Sequence, residues 1–141
     1  MDTARFTGKG SLVKVSFRSL PALLLLLMLG CVTPVTSEQI ASADYGTVPV
    51  SPIYENAIKH FMQPLLFDPF TARFRFLGEP LKGYAYLSGR RNPPVFGYLV
   101  HAGINAKNMM GNYTGEEQYR FFIKNEMLYL LNKSDKAEVV P

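Results

Sequence analysis

A chain of 141 residues has room for one domain and not for two. Its formal charge of +4 divides unevenly: Arg5, Lys9, Lys14 and Arg18 against Asp2 give +3 ahead of Cys31, leaving +1 for everything after it. A body so close to neutrality has no electrostatic footprint for a phosphate backbone, which argues against nucleic acid as a partner.

The first element is a leader. A basic segment ends at Arg18, an apolar run follows from Leu20 to Leu29, and Gly30 stands before Cys31, the only cysteine. That is the order of an export signal. The apolar run is about half the roughly 20 residues that a spanning helix needs, and Pro21 within it disfavours a permanent membrane helix. Met28-Leu29-Gly30-Cys31 resembles the lipobox of bacterial lipoproteins, in which the thiol takes a diacylglycerol and the cysteine becomes the new N-terminus. Ordinary signal cleavage after Val35-Thr36-Ser37 and a buried core cysteine are the alternatives. An exported chain with one cysteine forms no internal disulfide, and a thiol consumed by lipid accounts for that. Residues 1–30 are therefore expected to be a lipoprotein signal peptide. Cys31 is expected to be the lipidation site, joining the chain to membrane lipid. By the same resemblance, Val32 rather than Asp after the cysteine fits the outer-membrane class, facing the periplasm.

Residues 31–50 contain Pro34, Ser37, Ser42, Gly46 and Pro49 without helical or alternating apolar spacing, and read as a flexible tether. Ser51-Pro52 then opens a helix, as N-cap and first helical residue. Ile53, Ala57, Ile58, Phe61 and Leu65 give it one apolar face, and Pro64 should end it. Asp68-Pro69 predicts a single helical turn over 69–72. Phe74 and Phe76 alternate with Arg73 and Arg75 as in a half-buried strand, the two arginines forming a solvated face. Further strands are expected at 84–87, bounded by Ser88-Gly89, at 95–104 and at 119–124. Asn125-Glu126 should turn the last of these into a hairpin strand over 127–132. With no helices between successive strands the pairing should be antiparallel. The expected fold is α+β, an N-terminal helix packed on a four- or five-stranded antiparallel meander. The domain is expected to span 51–133, and 134–141 to fray.

Between the third strand and the hairpin lies NAKNMMGNYTGEEQ, residues 105–118. Such a long connection in a small domain is usually functional or disordered. Met109, Met110 and Tyr113 weigh against disorder, and Asn105 and Asn108 can cap local amides. The expectation is an ordered, partner-facing loop in which Tyr113 and Met109 contribute more to binding than Lys107.

DPFTARFRF, FGYLVHAGINAKN and GNYTGEEQYRFFIKN together resemble a small domain family of bacterial envelope proteins of unknown function. Its pattern is Asp-Pro-x-Ser/Thr-Ala, a Gly-Tyr strand, Asn-Ala-Lys-Asn and Gly-Gly-Tyr-Thr-Gly. The likeness spans about residues 66–125, and Asn112 replaces the second glycine of the last motif. By this resemblance no catalytic residue is implied. Small lipoproteins of similar layout serve as accessory subunits of outer-membrane machines, secretion-system cores among them.

Catalysis requires a nucleophile or base held by a partner, and neither His60 nor His101 belongs to a recognisable triad pattern. Neither histidine has neighbouring ligands for a metal, and no cofactor motif occurs. The expected function is therefore a structural or interaction subunit of an envelope protein complex, not an enzyme. The runner-up is an inhibitor of a cell-wall hydrolase with Lys107 as its plug. An enzyme would instead need a pocket at His101.

Overall fold

A computed structural model describes residues 34–87 and 93–141. The expected leader, Cys31 and the Ser88-Gly89 pair lie outside the described residues. Eight elements follow in chain order: helix α1 (Ser37–Ser42), helix α2 (Ile53–Met62) and strands β1 (Asp68–Phe76), β2 (Leu81–Ala85), β3 (Val95–Lys107), β4 (Glu117–Lys124), β5 (Met127–Leu131) and β6 (Ala137–Val139). All strand pairings are antiparallel, in one six-stranded sheet ordered β5-β4-β3-β2-β6, with β1 also paired to β3.

Six strands replace the expected four or five. β3 is the axis of the sheet because it is long enough to take two partners on one edge. Its first half pairs with β2 (Leu81↔Leu99, Ala85↔Val95) and its second half with β1 (Phe76↔Ala102, Arg73↔Asn105). β4 lies along the other edge and β5 beyond it, joined by the hairpin expected at Asn125-Glu126.

Two segments expected to be loose are part of this fold. Within 34–50, Thr36 and Gln39 form a reciprocal capping box at the start of α1. A helix of this length does not hold by itself. It is held by Val35, Ile40 and Tyr45, which pack on Tyr84, Tyr86 and Val140. In the segment 134–141, β6 pairs with β2, and Val140 is buried, its amide donating to Lys82 O at 2.9 Å. The flexible tether and the frayed tail are corrected for one reason: both carry the apolar residues that cover the β2 side of the sheet.

The return from β5 to β6 shows that the sheet is coiled. In a flat sheet these strands would stand four spacings apart, about 19 Å. The link from Leu131 to Ala137 could span that only if nearly straight. It contains a turn instead, with the Asn132 amide bonded to Asp135 Oδ2 at 2.7 Å and the Asp135 amide bonded to Asn132 O at 3.1 Å. Arg120 holds the link by donating to the carbonyls of Asn132 and Asp135. The edges therefore curl toward each other, and Ala85, Leu99, Phe122 and Leu131 are buried on the inner face without a covering helix.

The other face carries the larger core, in which Tyr54, Ile58 and Met62 of α2 meet Val100, Ala102, Ile104, Phe121 and Ile123. The buried stripe of α2 is thus one position on from the expected one. Ile58 and Phe61 face the sheet, whereas Ile53, at 68% exposure, Ala57 and Leu65 do not. Tyr54 is the cause: its ring meets Phe76 edge-on at 5.8 Å, and one residue turns a helix by about 100°. Pro52 occupies the N-cap without a side-chain bond, while Ser51 Oγ donates to Glu55 at 2.6 Å. The helix ends at Met62 and passes into a short 3₁₀ turn containing Pro64, near the expected stop.

Candidate functional site

One end of the sheet brings together all three sequence motifs. β3 runs on to Lys107 and β4 begins at Glu117, so the connecting loop is 108–116, shorter than the expected 105–118. Asn105 and Lys107 belong to β3, opposite Arg73 and Asp68. Between those two pairs only Ala106 faces residues 69–72, which bulge outward. The expected helical turn is therefore a strand bulge. Its base is closed by Thr71 Oγ1 donating to Asp68 Oδ2 at 2.8 Å, and its tip presents Phe70 at 93% exposure.

The loop is a miniature hairpin organised by Asn108. Its side-chain Oδ1 accepts from the amides of Met110 (3.0 Å) and Asn112 (3.1 Å). Its own amide donates to Asn112 O, and its carbonyl accepts from Gly111. Gly111, at φ 77°, makes the reversal that the motif's amide-capping asparagine sets up. This leaves Met109 and Met110 at the tip, 81% and 85% exposed. Asn105 does not cap: held in β3, its Oδ1 is buried with no hydrogen-bond partner.

Tyr113 ties the loop to the bulge. It bridges to Lys107, and its hydroxyl donates to Thr71 O at 3.0 Å. Two cations lie over its ring, Arg73 at 4.6 Å and Lys107 at 5.4 Å from the centroid. Next to it the Thr114 amide and hydroxyl both reach Ala106 O. Lys107 thus rests on an aromatic face rather than projecting as a plug.

Charge fastens the returning strand of the loop. Arg75 makes a two-pronged contact with Glu116, Nε to Oε2 at 2.9 Å and Nη2 to Oε1. The Arg75 hydrogen bonds hold the Glu116 carboxyl below its ordinary range. Gly103 makes room for that carboxylate, because a Cβ there would lie 2.3 Å from the Glu116 carboxyl carbon. The arginines expected on a merely solvated face are both engaged, one by an aromatic ring and one by a carboxylate. The sequence hid these contacts, since Arg75 and Glu116 are far apart in the chain.

His101 lies on the inner face of β3, two residues before Gly103 and opposite Arg120, with its carbonyl accepting from Leu77 N at 2.9 Å. His60 is exposed near the end of α2. Among the described residues no group of three or more His, Cys, Asp or Glu is placed to hold a metal ion. No helix among them is long and apolar enough to cross a membrane. Comparison with protein-family models, curated proteins and solved structures gives no match to this chain.

Proposed function

We propose that this chain is an α+β envelope lipoprotein, anchored through acylated Cys31 to the outer membrane and facing the periplasm. In this reading it serves as a structural or interaction subunit of an envelope protein complex, and the motif corner is its partner-facing surface. The observation that carries the reading is the convergence of the three motifs. Residues from Asp68-Pro69, Asn105-Ala-Lys-Asn108 and Tyr113-Thr114-Gly115 lock one another in place and leave Phe70, Met109 and Met110 in solvent. Exposed large apolar side chains on a braced support are the composition of an interface core. Asn108 and Tyr113 hold the support, whereas Met109 and Met110 supply contact area. Anchoring is supported by the order of basic segment, apolar run and Gly30-Cys31. A diacylglycerol with a second acyl chain would give stable attachment.

The test is chemical crosslinking in intact envelopes, followed by recovery of the chain and of whatever protein is attached. A Met109→Ala/Met110→Ala/Phe70→Ala variant should lose the attached protein while melting at the temperature of the unsubstituted chain. Retention of the same crosslinked species by that variant would overturn the assignment of the corner as the partner surface.

A further inference from the structure

We infer that β5 is a self-complementary edge through which two copies of this chain associate about a two-fold axis at Tyr129. The turn ahead of β5 determines which backbone groups face outward. Asn125 and Glu126 both have positive φ, 46° and 67°. Such a two-residue turn makes Lys124 and Met127 a doubly hydrogen-bonded pair. Alternation gives β4 the N–H and C=O groups of Met127, Tyr129 and Leu131. Those of Leu128 and Leu130 point away from the sheet. β5 is the last strand on its side, and among the described residues no backbone group beyond β4 reaches it.

Outward residues at i and i+2 fit a second copy of themselves. Run antiparallel, Leu128 faces Leu130 of the second copy and Leu130 faces its Leu128, with both N–H···O bonds made in each pair. Sheet edges are ordinarily guarded by lysine, proline or an inward charge, and β5 is Met-Leu-Tyr-Leu-Leu. Charge agrees with this register. Glu126 and Lys133 take part in none of the ion pairs among the described residues. Antiparallel pairing brings the Glu126 end of β5 in each copy to the Lys133 end of the other.

The same approach covers apolar surface left open by the single chain. A groove of about 200 Å³ runs between residues 47–50, α2 and the β4–β5 hairpin, lined by Val48, Val50, Ile53, Ala57, Ile123 and Leu128. Leu128 is both a wall of the groove and an outward backbone position, so Leu130 of the second copy, facing it, closes that side. This surface is distinct from the motif corner, and the pairing holds whether or not the chain is lipidated.

Light scattering of the full-length chain in detergent should give the mass of a dimer, and disulfide trapping should report the register. Tyr129 would face its own copy as a non-hydrogen-bonded pair, with Cα atoms about 4.5 Å apart, within the roughly 4.4–6.8 Å that a disulfide spans. Tyr129→Cys should raise reductant-sensitive dimer well above that of the unsubstituted chain, whereas Phe70→Cys should not. Glu126→Lys should weaken association about fivefold, the scale of two exposed ion pairs, and adding Lys133→Glu should restore it. A monomeric mass would overturn the inference, as would equal trapping at positions 70 and 129. An extended peptide from another protein would then be the occupant of the edge.

Discussion

At the scale of single residues, the motif corner separates side chains that brace from side chains that are free. Tyr113→Phe removes only the bond to Thr71 O and should cost about 1 kcal/mol. Tyr113→Ala also removes the ring that Arg73 and Lys107 lie against and should cost more, measured as a shift in melting temperature. Met109→Ala should change stability by less than about 0.5 kcal/mol, as at an ordinary surface site. A second residue-scale effect is pH dependence. Burial, followed by donation to Glu138 Oε2 at 2.5 Å, pushes the Tyr84 hydroxyl up to about 12. The unfolded chain loses this proton near pH 10, so the stabilisation is whole below pH 10 and drains away as pH rises toward 12. Tyr84→Phe should abolish that alkaline loss. Glu138, Glu116 and Asp44 behave oppositely. Hydrogen bonds from Tyr84, Arg75 and Lys124 respectively depress their carboxyls, so their contributions are present above the ordinary carboxylate range and are lost as pH falls through it. Melting curves across acid and alkaline pH check both directions.

At the scale of elements, α2 offers the sharpest contrast. Ile58→Ala should cost about 2–5 kcal/mol, since its side chain is wholly buried against the sheet. Ile53→Ala, at the exposed start of the same helix, should cost less than about 0.5 kcal/mol. Phe121→Ala, at the centre of the same core, should cost about 3–5 kcal/mol. The strands from β3 to β5 are legible in sequence because the long apolar run of β3, the alternation within β4 and the Asn125-Glu126 turn all agree. The helix itself is also legible, but not its orientation, because an aliphatic stripe takes in Ile53 and passes over Tyr54. Tertiary packing against Phe76 decides between them. The bulge at 69–72 reads in sequence as a turn of helix, since Asp-Pro serves either. Its fate is settled by Ala106, on a strand more than thirty residues away.

At the scale of the whole molecule, the unforeseen parts are those that come from outside the expected domain limits. Residues 34–50 and 134–141 have little periodicity, so local pattern could not announce them. They are ordered through Ile40, Tyr45 and Val140, single residues whose value depends on a shared site at Tyr84 and Tyr86. The contact points of the candidate site are legible only where chemistry is local: Asn108 caps amides two and four residues on, as its side chain dictates. The pairings Arg75–Glu116 and Tyr113–Thr71 needed the fold. For the molecule in its setting, the decisive variant is Cys31→Ser. It should leave the membrane fraction, or accumulate at precursor mass, while α1 and the sheet keep their melting transition. Unchanged processing and membrane recovery would refute acylation.

The inner face of the coiled sheet depends on what is absent from it. Gly83 of β2 and Gly97 of β3 face each other directly. A Cβ on Gly97 would lie 2.5 Å from Ile123 O and 2.7 Å from the Phe122 ring, and one on Gly83 would lie 2.5 Å from Glu138 O. Phe122 and Leu99 occupy the space that two side chains would otherwise take. Under random mutagenesis scored for accumulation in the cell, these two positions should therefore tolerate no replacement, not even alanine, while Phe70, Met109 and Met110 accept many. A selection for function instead of abundance should reverse the contrast at the three exposed positions and leave the glycines as they were. Comparing the two screens would separate the demands of folding from those of recognition, whatever the partner is.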